Sequence, residues 1–230
     1  MASTTAARLP SAVQSAGYWS ALGCLAFSLI YVAAQVAEWV GLWGSAGGPE
    51  SASEPIGLVI LLTPSLFLAP TFLLLMVSIH EWTPVERRVW SHAAALLATA
   101  YLVMVGVTYY VQLSWVAPRL AAGRTEGLAP FLFKPFDSFL YSVDILGYSM
   151  MCLSMLLAGM VFEPKGREGV TRKLFFANGM LLPFLALQLY WHWMIWVASL
   201  WAITFPCAMW SVASVFRQPF SANLAFSDRR

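Results

Sequence analysis

From Leu174 to Phe216 the chain carries no Lys, Arg, Asp or Glu. One helix of that length, at about 1.5 Å per residue, would be roughly 65 Å long, about twice the hydrocarbon core of a bilayer. Two membrane-crossing helices joined by a tight turn fit the stretch better. The turn falls within the segment Tyr190 to Trp196, whose aromatic density suits the boundary between lipid and water. Four further apolar runs of comparable length precede it. The pattern predicts an all-α, polytopic membrane helical bundle of six transmembrane helices, over residues 17–43, 56–79, 89–115, 137–162, 174–191 and 196–216. Composition agrees, because 230 residues at 60% hydrophobic and 10% charged, with a mean hydropathy of +0.70, leave no polar region for a separate soluble module. A single transmembrane domain over 1–230 is expected, with no nucleic-acid partner.

The first apolar run is too long for a signal-peptide core and has no convincing cleavage site, so it reads as a retained helix. Cys24, Cys152 and Cys207 all fall inside apolar segments, which argues against a disulfide framework or a clustered thiolate site. Pro64 and Pro70 are expected to kink the second helix, and Pro183 and Pro206 the last two. The loop from Arg119 to Pro135 ends in the apolar patch Phe131-Leu132-Phe133, and is expected to fold back over the bundle as a lid.

Six crossings put both termini on one side. Of the 13 Lys and Arg residues, only Arg119, Arg124 and Lys134 belong to the opposite side. The excess of basic residues on cytoplasmic loops then predicts cytoplasmic termini, in the inner (plasma) membrane of a bacterial cell.

Polar residues inside hydrocarbon are costly and mark sites. Asp137, Tyr141, Asp144 and Tyr148 fall at i, i+4, i+7 and i+11, one stripe of the fourth helix. Tyr31, Gln35 and Glu38 repeat the spacing on the first, and Tyr101, Thr108 and Gln112 share a face of the third, with Tyr109 and Tyr110 beside them. With the orientation above, Gln35, Glu38, Tyr109, Gln112, Asp137, Tyr141, Asp144, Gln188 and His192 all lie in the outer half. The inner half offers only small groups such as Ser28, Ser78, Thr99, Ser154 and Asn178. The distribution predicts a polar recess near the external face, closed by an apolar plug toward the cytoplasm.

Glu38 and Asp144 admit two readings, as a paired acid and base sharing a proton, or as groups reaching interfacial water or capped by a Tyr or Gln. Asp137 reads as an N-cap or first-turn acid. His192 is either a ligand of the recess or an interfacial residue of the aromatic turn. His80 and His92 sit at helix ends without a further ligand set, so neither a metal nor any other cofactor is expected.

The segments Tyr109-Tyr110-Val111-Gln112-Leu113 and Asp144-Ile145-Leu146-Gly147-Tyr148, with the loop His80-Glu81-Trp82-Thr83-Pro84, resemble uncharacterised multi-pass membrane proteins of bacteria over roughly Glu81 to Phe162. The resemblance implies a membrane topology and a shared polar face, and no activity. From the residues themselves the first expectation is a sensor or accessory subunit binding a small or lipophilic ligand through Gln35, Tyr109, Gln112, Tyr141, Gln188 and His192. Alternatives are an intramembrane acid/base enzyme, of isomerase or cyclase type, with Glu38 and Asp144 catalytic, and a proton- or cation-coupled carrier. Membrane lipids are the expected surroundings.

Overall fold

A computed structural model describes residues 11–217; the stretch containing Arg8 and the basic tail beyond Arg217 lie outside them. Six helices long and apolar enough to cross a membrane run from Ala12–Trp39, Pro55–Trp82, Val85–Ala121, Phe139–Gly159, Gly166–Leu187 and His192–Phe216. No strand occurs among the described residues. Each helix packs on its neighbours in sequence, and the sixth returns to the first, so the six close into a ring. Gln14 Nε2 donates to the Phe216 carbonyl at 2.9 Å across that closing seam. Lipid is the natural solvent for the outer surface, where Ile30, Phe67, Val103 and Ile203 are more than half exposed.

The helix ends show where expectation and structure part. The first span breaks at Trp39, where Gly41, Gly44, Gly47 and Gly48 take positive φ, a region open to glycine without the Cβ clash. The fourth begins at Phe139, and its N-cap is Ser138, not Asp137. The Ser138 backbone is extended and its hydroxyl accepts from the Tyr141 N–H at 3.2 Å, whereas Asp137 stands one residue too early. The fifth begins near Gly166, because its basic first turns continue the helix past the apolar run. It is interrupted rather than merely bent: the α-helix stops at Gly179 and resumes at Leu182, upstream of Pro183, which has no N–H to bond the previous turn. In the second span, helix runs unbroken through Pro64 and Pro70.

Sequence reading also missed a widened turn. Gln112–Val116 is a π-helix, and the Ala117 N–H reaches back to the Gln112 carbonyl. Pro118 explains it, since a proline ring clashes with the carbonyl four residues back and a wider turn moves that carbonyl aside.

The ring interior is aromatic. Phe72, Tyr101, Tyr148, Trp201 and Phe205 form a closed cycle of ring contacts with centroid separations of 5.7, 5.5, 5.8, 4.9 and 6.0 Å, linking spans two, three, four and six. At the end of the bundle bearing the chain's termini, Arg87 pairs with Glu163 at 2.5 Å and donates to the Val161 carbonyl, while Arg172 donates to the Phe162 carbonyl. Cations there satisfy carbonyls left open where the fourth span ends.

Spans three and four meet through Gly147, where an added Cβ would lie 2.7 Å from Val105 Cγ2. Gly147→Val is therefore expected to cost about 1–3 kcal/mol by overpacking. Gly106→Ala, with nothing within 4 Å, is expected to leave stability unchanged or raised. Thermal unfolding of the detergent-purified protein measures both.

Candidate functional site

The end of the ring opposite Ala12 and Arg217 holds a cavity of about 200 Å³. Helical periodicity builds its polar wall. Tyr31, Gln35 and Glu38 line it from one face of span one, and Tyr141, Asp144 and Tyr148 from one face of span four. Tyr109 enters from span three and Gln188 from the end of span five. Space is left on span six by Ala198, Ser199 and Ala202, small residues at i, i+1 and i+4. The floor is the aromatic cycle, of which Tyr148 and Trp201 face the cavity and Phe72, Tyr101 and Phe205 lie fully buried behind them.

Loops form the roof. Pro49, Ser51 and Ser53 come from the first loop, Phe133 and Pro135 from the long third loop. The expected covering loop is thus in place, with the Phe133 and Phe136 rings each 5.5 Å from that of Tyr141. Phe136 takes a positive φ of 63° and stacks on His192 at 4.1 Å. His192 Nδ1 in turn lies 3.3 Å from Glu50 Oε1, so one side chain joins both loops to the start of span six.

The structure brings Glu38, Asp144, Gln35, Tyr109, Tyr141 and Gln188 to this one chamber. Gln112 and His192 are not in its lining. Gln112 is buried behind the roof, where the π-turn aims its Nε2 at the Phe131 carbonyl, 2.7 Å away. His192 is half exposed above it. Trp39, Trp201 and the first-loop residues Pro49, Ser51 and Ser53 join the lining without having been anticipated, although the small-residue spacing at Ala198 and Ala202 was a usable signal for a void on span six.

Most polar groups of the wall answer one another. Tyr31 donates to Gln35 Oε1 at 3.0 Å, Tyr141 to Gln188 Oε1 at 3.4 Å, and Tyr109 to the Tyr148 hydroxyl at 3.2 Å. Gln188 Nε2 donates to the Leu185 carbonyl at 3.0 Å. Three carboxyl oxygens and the Trp201 indole N–H are left over. Glu38 is 2% exposed and Asp144 6%, yet Glu38 Oε1, Oε2 and Asp144 Oδ1 have no hydrogen-bond partner among the described residues. No Lys, Arg or His lines the cavity. Glu38 also packs hard against span two: a Cβ on Gly57 would stand 2.6 Å from its Oε2.

Among the described residues no group of three or more His, Cys, Asp and Glu could hold a metal ion. His80 and His92, with ring centroids 5.4 Å apart, lie at the far end of the bundle, where His80 Nδ1 meets the Ser91 hydroxyl at 2.9 Å. Comparison with protein-family models, curated proteins and solved structures finds no match to this chain.

A buried carboxyl group without a partner costs stability. Glu38→Met, similar in length and apolar, is expected to stabilise the ligand-free protein by about 1–3 kcal/mol. A higher apparent melting temperature in detergent is the readout.

Proposed function

We propose that this protein is a membrane-embedded binding protein, a sensor or accessory subunit, holding a small and partly apolar molecule in the chamber between Glu38 and Asp144. The single observation that carries the reading is the pair of buried carboxyl groups on one mainly apolar cavity. Ligand sites combine such apolar walls with a few unanswered polar groups. The distribution of basic residues supports cytoplasmic termini in the inner membrane of a bacterial cell, which would set the chamber toward the external face.

The same pair of carboxyl groups favours a second reading, an intramembrane acid/base enzyme of isomerase or cyclase type in which Glu38 and Asp144 exchange protons with a lipophilic substrate. A proton- or cation-coupled carrier is less favoured, because the aromatic floor would have to part for a solute to cross.

Ala198 is 4% exposed and lines the chamber, so Ala198→Phe fills it. Denaturing extraction and mass spectrometry of purified protein should recover a small molecule from the parent and not from Ala198→Phe. Equal recovery from both, or from neither, overturns the binding reading. Conversion of the recovered molecule on incubation, abolished by Asp144→Asn with binding retained, selects the enzyme. Uptake into vesicles driven by a proton gradient selects the carrier.

A further inference from the structure

The chamber has more to say about its occupant than its size. We propose that it takes a small lipophilic amine, whose ammonium group lies between Glu38 and Asp144 and whose apolar part rests against the aromatic wall; the proposal rests on the binding reading above and names its ligand class.

Charge is the first argument. Two acidic side chains on one buried cavity, with no basic side chain in its lining, make a site that an anion would avoid and a cation would complete. Donor count is the second. The orphaned acceptors on lining residues are three, Glu38 Oε1, Glu38 Oε2 and Asp144 Oδ1, against one orphaned donor, the Trp201 indole N–H, while Tyr31, Tyr141 and Tyr109 donate to glutamine and tyrosine acceptors. A primary ammonium brings three N–H donors and needs no acceptor of its own. Charge-assisted hydrogen bonds of this kind are about twice as strong as neutral ones.

The wall supplies the third argument. Tyr31, Trp39, Tyr109, Phe133, Tyr141 and Trp201 line the same cavity as the two carboxyl groups. Aromatic rings attract an organic cation through their quadrupoles, most strongly where water is excluded. They are poor ligands for a bare metal ion, which asks for about six or more oxygens in the case of calcium and magnesium. Size sets the scale, since an apolar cavity of about 150 Å³ accommodates benzene. A volume of about 200 Å³ suits one ring with a short aminoalkyl arm.

Gly57 gives a way to move one carboxyl group without removing its charge. A methyl group at that position would collide with Glu38 Oε2, so Gly57→Ala should displace the acid while keeping every titratable group.

The test is calorimetric titration and thermal stabilisation of the detergent-purified full chain with 2-phenylethylamine, its neutral analogue 2-phenylethanol, and potassium chloride. The amine should bind saturably and at least about tenfold more tightly than the alcohol. Glu38→Gln and Asp144→Asn should each weaken the amine about tenfold and leave the alcohol nearly unchanged, and Gly57→Ala should weaken the amine alone. Alcohol binding as tight as the amine's overturns the ammonium proposal while leaving a ligand chamber standing. Stabilisation by potassium equal to that by the amine also overturns it, in favour of an inorganic cation. Binding of neither organic probe, or amine binding unaltered by all three substitutions and by Ala198→Phe, overturns it together with the assignment of this cavity as the site.

Discussion

Hydrocarbon offers no hydrogen bonds, so every polar group that a helix carries into it must find its partner inside the bundle. This constraint organises the whole ring. In the half nearer the termini it is met by short local pairs: Thr171 with Ser211 at 2.7 Å, Thr204 with Asn178 Oδ1 at 2.9 Å, and Ser154 with the Ala94 carbonyl at 2.7 Å. Each pair fastens two spans and leaves nothing open. In the other half the tyrosines and glutamines pair in the same way, and carboxyl oxygens of Glu38 and Asp144 are among the buried groups left without a partner. The contrast between the halves, more than any single residue, separates the part of the molecule that holds it together from the part that can receive something.

The architecture was largely readable because each span is an apolar run near bilayer length, and because period-3.6 spacing put Tyr31, Gln35 and Glu38, or Tyr141, Asp144 and Tyr148, on common faces. What could not be read was register between spans. Gln112 shares the helical phase of Tyr101 and Thr108, but the π-turn begins at Gln112, and its side chain is spent on the Phe131 carbonyl. His192 sits one turn past Gln188 by count, yet the helix ends between them and the histidine points into the loops. Nothing in the spacing of the tryptophans sets Trp201 apart. Its place beneath the chamber depends on Tyr148 and Phe205, which come from separate and distant parts of the sequence.

Floor and roof differ in kind. Below, five rings interlock, each buried, and moving one disturbs its neighbours. Above, the cover is loop backbone held by a stacked Phe136, a half-exposed His192 and the exposed Glu50. Buried aromatic packing resists opening far more than surface contacts do, so the roof, rather than the floor, is the side of the chamber that yields more readily.

The ring closes only when the sixth helix lies against the first, and Ala198, Ser199 and Trp201 of that helix stand far along the chain from Glu38. A first helix that entered the bilayer ahead of them would hold its acidic end at the watery boundary until they arrived, and closing the ring would then draw that end inward.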